Sequence, residues 1–275
     1  MTKTRVKSGL EAFLAGAGNE IDGMRVGLVT NPNGVDSRFR STIDLLGASP
    51  RLQLVSLFGP EHGVRGDAQA GDHVAQAVDG RTGLPVHSIY GETRRPTPEM
   101  LAGIEAIAID LQDLGVRYAT YLSTQIEVQA AAHDAGIDVV ILDRPNPLAD
   151  LRLEGNTLDP TFTSFVGSYP IPVRHGMSLG ELGLMIAAER GWKAPIVVRA
   201  DGWRRTSWYD ETGLPWVPPS PNMPTLDGLI LYGGTCLAEG TSWSEGRGTT
   251  RPFEYIGAPG IDAQALADDL TSRAI

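Results

Sequence analysis

Apolar residues fall in short, nearly unbroken runs along the first two hundred positions. They are MRVGLVT (24–30), LQLVSLF (52–58), LPVHSIY (84–90), IEAIAIDL (104–111), IDVVILD (137–143) and APIVVRA (194–200). The runs are rich in β-branched residues and do not alternate with polar ones. That predicts strands covered on both faces, as in a parallel sheet. Helical patterns lie between them. The one at 41–47 is short. The one at 97–103 opens with Thr97 as N-cap and Pro98 at the first helical position. Residues 123–135 are alanine-rich and stop at Gly136. Residues 178–190 begin SLGE, with Ser178 and Glu181 at capping-box spacing, and stop at Gly191. The alternation predicts an α/β fold, a Rossmann-like, mostly parallel sheet with helices on both faces.

The texture changes after about residue 203. LPWVPPSPNMPT (214–225) holds five prolines in twelve residues and breaks regular structure. LDGLILYGGTCLAEGT then reads as one more strand and a loop, and GIDAQALADDLTSRAI as a helix running to the last residue. The expected division is a Rossmann-like domain over 1–205 and the start of a C-terminal α+β ancillary domain over 206–275. A chain that stops inside a helix is expected to be partial at that end.

Charge and motifs remove several function classes. The net charge is −10, from 33 acidic and 23 basic residues. A nucleic-acid binder needs a basic face to displace counterions, so none is expected. One cysteine, Cys236, permits no internal disulfide and reads as a small packed residue rather than a reactive thiol. No apolar window approaches the ~18 residues of a membrane span. The N-terminus has no secretory core, its apolar patch being broken by Glu11. A soluble cytoplasmic protein is the expectation, or a secreted one if the N-terminus is a processed form. TNPNG follows the first strand where a dinucleotide site needs G-x-G-x-x-G, and no P-loop, G-x-S-x-G or H-E-x-x-H occurs.

Open α/β sheets bind ligands beyond the carboxyl ends of their strands. Five consecutive runs end in TNPNG, GPEHGVRG, YGETRR, DLQDLGVRYATY and LDRPNP. They bring Asn31, Asn33, Glu61, His62, Tyr90, Glu92, Asp110, Asp113, Arg117, Tyr121, Asp143, Arg144 and Asn146 to one edge. EHGVRGDAQAGDH offers Glu61, His62, Asp67, Asp72 and His73 to a divalent ion, but Arg65 sits among them and the spacing matches no familiar site. No metal is therefore expected, and a metal-dependent hydrolase using Glu61, His62 and Asp72 stands as an alternative. Glycosidic chemistry fits the residue types better, because it needs one protonated and one ionised carboxyl. Glu61 follows Phe58-Gly59-Pro60, whose apolar surface favours a retained proton. A helix cap or an ion pair with Arg65 is its structural alternative. Asp113, Asp110, Glu239 and Glu245 are candidates for the second carboxyl. Arg117, Arg144, Arg174 and Arg247 can clamp a ligand carboxylate. Asn31, Asn33, Asn146 and Asn222 can bond hydroxyls or an amide, and Tyr118, Tyr121, Trp216 and Trp243 can stack on a sugar. Each has a structural alternative in ion pairs, Asx turns or core packing.

Seven stretches in order, from FGPEHGVRG through YG, DLQDLGVRYATY, LDRPNP, FVGSYPIPVRHGMSLGELG and PSPNMPT to LAEGTSWSEGRGTTRPFEYIGAP, closely resemble the NamZ-like exo-β-N-acetylmuramidases, once a family of unknown function. The resemblance runs from about Arg25 to Asp262. It implies a Rossmann-like domain, an ancillary domain and a cleft between them. It also implies release of N-acetylmuramic acid from the non-reducing ends of peptidoglycan-derived glycans, with no nucleotide or other cofactor. The glutamate of the E-H-G stretch, here Glu61, becomes the leading catalytic residue. Asp113 is set beside it from among the open candidates for the second carboxyl, and His62 has a positioning role. Arg144 and Arg247 stand in matching stretches, and either suits the lactyl carboxylate of the sugar. His175 in VRHG joins the substrate-binding set. Members usually continue about a hundred residues past IGAP. The missing wall keeps a non-catalytic muramyl-sugar binder as the runner-up.

Overall fold

The computed structural model describes residues 5–66 and 77–273. These form two compact units, 1–219 and 220–275. In the first, β1 (Arg25–Thr30), β2 (Gln53–Gly59), β3 (Ala77–Val78), β4 (Pro85–Ser88), β5 (Ala106–Asp110), β6 (Asp138–Leu142) and β9 (Ile196–Val198) make one sheet in the order β3-β4-β2-β1-β5-β6-β9. All its pairings are parallel except β3 with β4. A hairpin of β7 (Glu154–Thr157) and β8 (Pro172–Arg174) stands apart.

The unbroken apolar runs have the cause expected of them. Alternate residues of each strand enter different cores. Val26, Leu28, Ala106, Ala108, Val140 and Leu142 pack with Leu10 and Phe13 of α1 (Gly9–Leu14) and Ile43 and Leu46 of α2 (Thr42–Gly47). Val29, Ile107, Ile109 and Ile141 pack on the opposite face with Leu122 and Ile126 of α3 (Thr120–Ala135) and Leu182 and Ile186 of α4 (Leu179–Arg190). The fold is thus an α/β sheet covered by helices on both faces. Ser178 and Glu181 close the capping box of α4, and Gly136 and Gly191 end α3 and α4 in the left-handed conformation.

Two local expectations need correction. Residues 97–103 form turns rather than a helix. The segment is too short to repay helix nucleation, and Gly103 breaks it at φ +76°. In the second unit, the run read as a strand is the helix α5 (Leu226–Thr235). Thr225 caps it, accepting from the Gly228 N–H at 3.0 Å. The final helix, α6 (Ala263–Ser272), runs as expected as far as the described residues go. No helix among the described residues is long and apolar enough to cross a membrane.

Candidate active site

Strands β2 and β4 lie on one side of β1, and β5, β6 and β9 on the other. The strand order therefore reverses beside β1, where such sheets open a crevice. Thr30 and Asp110 stand in register across it, and the Thr30 hydroxyl donates to the Asp110 carbonyl at 3.1 Å.

Glu61 leaves the end of β2 on a tight turn closed by the Gly63 N–H to the Pro60 carbonyl at 2.9 Å. His62 takes φ +73° and is buried, and Gly63 follows at φ +71°. A non-glycine residue held left-handed stores strain, and such residues gather at functional sites. The turn brings the Glu61 carboxylate to the start of α3, where Oε2 accepts the Thr120 hydroxyl at 2.6 Å. The phenol of Tyr90, just past β4, lies in the field of Glu61. Burial and then the Glu61 charge push that phenol up to about 12, with Arg94 pulling the other way. Arg65 forms its fork with Asp79 instead, at 2.9 and 3.0 Å.

Tyr121, the next residue of α3, is buried and donates to the Pro219 carbonyl. Burial first, and then the charges of Glu61 and Asp113, raise its phenol far above the ordinary value, opposed by the Asn31 side chain. Tyr121 thus lies in the field of both carboxylates. The Asn31 amide faces it without closing a bond of ordinary geometry. Asp113 is 3% exposed. Its Oδ2 accepts the Gly115 N–H at 2.8 Å and lies 3.3 Å from His175 Nε2. His175 Nδ1 accepts the Met177 N–H at 3.3 Å, so the ring's proton sits on Nε2 and faces Asp113. Asp113 Oδ1 is buried without a partner among the described residues. Gly115 sits at φ +76°, and a Cβ there would come 2.4 Å from Asn146 Oδ1.

The other polar residues of the edge have mostly structural partners. Arg144 grips Asp110 through Nε–Oδ1 at 2.5 Å and Nη2–Oδ2 at 2.9 Å, and Thr42 donates to the same carboxylate. Arg117 donates to the carbonyls of Asn156 and Ile171, and Arg174 to the Leu148 carbonyl and Glu154, which together hold the β7–β8 hairpin. Asn146 makes an Asx turn to the Leu148 N–H at 2.8 Å and donates to the Met177 carbonyl. Asn33 donates to the Pro218 carbonyl at 3.4 Å, while its Oδ1 stays buried and unpartnered among the described residues. Asp143 takes the Ser178 hydroxyl at 2.6 Å and the Gly180 N–H at 2.9 Å at the start of α4. Burial, opposed by those two bonds, pushes its carboxyl up to about 6. In the second unit Arg247 pairs with Glu239 at 2.6 Å and Glu245 at 2.9 Å. Asn222 belongs to that unit too. Burial pushes the Cys236 thiol up to about 11, which keeps it protonated near neutral pH.

Among the described residues, no group of three or more His, Cys, Asp or Glu side chains is assembled to hold a metal. Asp67, Asp72 and His73 lie outside the described residues. The residue missing from the sequence reading is Thr120, which holds Glu61. It stands in the quoted stretch DLQDLGVRYATY, but a threonine beside Arg117 and Tyr121 carries no signal of its own.

The chain matches the family models for exo-β-N-acetylmuramidase NamZ, N-terminal, over residues 26–227, and C-terminal, over residues 230–275. It is 47% identical over 271 residues to the peptidoglycan β-N-acetylmuramidase NamZ of Bacillus subtilis (strain 168), covering 98% of this chain and 66% of that protein. Two crystal structures of DUF1343 family proteins from Bacteroides fragilis NCTC 9343 resemble it. One has a TM-score of 0.89 and 42% identity over 98% of this chain and 69% of its own. The other has a TM-score of 0.80 and 30% identity over 94% and 69%. The chain therefore spans about two-thirds of the length of these relatives.

Proposed function

The chain belongs to the exo-β-N-acetylmuramidase NamZ family, and from that premise we propose that it is an exo-acting glycoside hydrolase. Its substrates are peptidoglycan-derived glycans ending in N-acetylmuramic acid, which it releases from the non-reducing end. The observation that carries the reading is the setting of Glu61. Its carboxyl accepts the Thr120 hydroxyl and acts on the Tyr90 phenol at the carboxyl edge of the sheet, within the matched region.

In this reading Glu61 protonates the glycosidic oxygen as the bond to the anomeric carbon breaks. Hydroxyl donors suit that task, because they orient a carboxyl in either protonation state. Positive charge develops on the sugar ring, negative charge nearby stabilises it, and a water adds to the anomeric carbon, losing its proton to a carboxylate, to complete the hydrolysis. Asp113 supplies that charge, being the candidate second carboxyl with no cationic side chain permanently on it. Asp110 is neutralised by Arg144, and Glu239 and Glu245 by Arg247. His62 fixes the turn that presents Glu61, and His175 orients Asp113. Asn31 and Tyr121 border the sugar, and Asn33, Arg117 and Arg174 shape its surroundings. A cytoplasmic place of action belongs to the same reading and is tested by fractionating cells that make the protein.

The test is incubation with a MurNAc–GlcNAc disaccharide and with a chromogenic β-muramide. Release of N-acetylmuramic acid is expected, and its loss in Glu61→Gln. Undiminished turnover in that variant would remove Glu61 from the chemistry. Thermal stabilisation by N-acetylmuramic acid with no product would make the protein a binder.

A further inference from the structure

The substrate assumed above is anionic, since N-acetylmuramic acid is N-acetylglucosamine carrying a lactyl ether, and its carboxylate, on the C3 oxygen. Something must distinguish it from the neutral sugar. The arginines singled out by sequence are committed elsewhere. Arg144 is forked onto Asp110, Arg117 and Arg174 are tied to the β7–β8 hairpin, and Arg247 is bound by two glutamates.

Arg94 differs from all of them. It is exposed, and among the described residues no carboxylate lies within ion-pair distance of it. It is nevertheless held in place. Its guanidinium carbon lies 4.4 Å from the centre of the Phe165 ring and 5.5 Å from that of Tyr90. The two rings are 5.8 Å apart and tilted by 56°, so they form an aromatic corner with the cation over it. Both walls are anchored. The Ser123 hydroxyl, on α3, donates to the Phe165 carbonyl at 2.6 Å. The loop bearing Arg94 is closed by the Thr93 hydroxyl to the Arg95 carbonyl at 2.7 Å, and Arg95 pairs with Asp134 on α3. Tyr90 is the link to the chemistry, because its ring carries Arg94 and its phenol feels both Arg94 and Glu61.

We propose that Arg94 is the specificity-determining residue of the Glu61 site, receiving a substrate carboxylate about one sugar ring away from the scissile bond. The inference rests on the reading of Glu61 as the glycosidic acid. The geometry suits the chemistry in three ways. A guanidinium stacked on aromatic rings has lost much of its freedom and keeps its N–H edge for a ligand. Having no internal carboxylate to surrender, it exchanges only water for the incoming one. Tyr90 stands between the two groups, since Arg94 lies over its ring and both Arg94 and Glu61 act on its phenol.

The test compares two chromogenic β-muramides, one with the free lactyl carboxylate and one with the neutral carboxamide, on the wild-type chain, Arg94→Met and Arg94→Lys. The wild type is expected to favour the acid by ~10- to 100-fold in kcat/KM, as for a hydrogen bond between charged groups. Arg94→Met should lose that preference, chiefly through KM. Arg94→Lys should recover part of it. Unchanged melting temperatures show that the variants fold. An undiminished preference in Arg94→Met overturns the assignment and leaves the hydrolase reading standing. If the wild type cleaves neither compound, the hydrolase reading fails instead. Calorimetric titration with N-acetylmuramic acid and N-acetylglucosamine then decides on Arg94. Selective binding of the acid, lost in Arg94→Met, supports its role, and equal or absent binding by the wild type overturns it.

Discussion

Asp110 and Glu61 leave the same edge of the sheet, one at the end of β5 and one just past β2, with β1 between them. Asp110 is fully buried and takes two guanidinium N–H groups and a threonine hydroxyl. Its charge is matched by Arg144, which fixes the pair in one geometry. Burial alone would lower the Arg144 pKa, but the Asp110 charge outweighs it and raises the value. Glu61 accepts the Thr120 hydroxyl beside the Tyr90 phenol, and Arg65 forms its fork with Asp79 rather than with Glu61. Two carboxylates a strand apart thus serve opposite ends. One ties the strand ends together, and the other is the proton donor of the proposed function.

The largest effect should come from breaking the tied pair. Arg144→Met leaves Asp110 buried and uncompensated, and should cost ~3–5 kcal/mol in denaturant unfolding. If stability holds and turnover vanishes, Arg144 belongs to the ligand site and the contrast collapses.

Asp143 gives a smaller, pH-dependent effect at the same edge. Its folded-state value of about 6 lies above the ordinary 3.8. The folded protein therefore binds this proton more tightly than the unfolded chain does. That contribution is complete below about pH 4 and is lost as pH rises through 6. Asp143→Asn should remove it. The stability difference between wild type and variant should change by ~3 kcal/mol between pH 4 and pH 7, read from urea midpoints. A difference that does not vary with pH would show that Asp143 titrates normally.

Much of this was legible in the sequence, for physical reasons. Strands covered on both faces must be apolar at nearly every position, so Val26–Leu28 and Ile107–Ile109 announce themselves. Capping is local chemistry, so Ser178 and Glu181 are readable from spacing alone. The helix Leu226–Thr235 was not, because LILY reads as strand and Gly228, Gly233 and Gly234 lower its helix propensity. The hairpin was missed because EGNT and PVR are short and mostly polar or partly exposed. At the site, Glu61 and Asp113 could be named from residue type, but the four arginines could not be sorted. An arginine's role depends on its partner, and Arg117 finds its carbonyl 54 positions away at Ile171. Arg94 stood in a quoted stretch without notice, because aromatic stacking between distant segments leaves no sequence pattern.

A smaller effect sharpens the Glu61 side of the contrast. Tyr90→Phe keeps the ring beneath Arg94 and removes the phenol on which Glu61 acts. Turnover of a chromogenic muramide should fall by about 3- to 10-fold with no loss of melting temperature. A fall in melting temperature alone would make the Tyr90 contact structural, like that of Asp110.

The most direct test of the central claim joins both readouts in one variant. Glu61→Gln keeps shape and hydroxyl contacts while removing the transferable proton. Melting temperature and muramide turnover should be measured on the same preparation. The account requires a melting temperature close to wild type and a turnover lower by ~100-fold or more. A destabilised protein that retains its turnover would contradict it, and would make Glu61 a second Asp110.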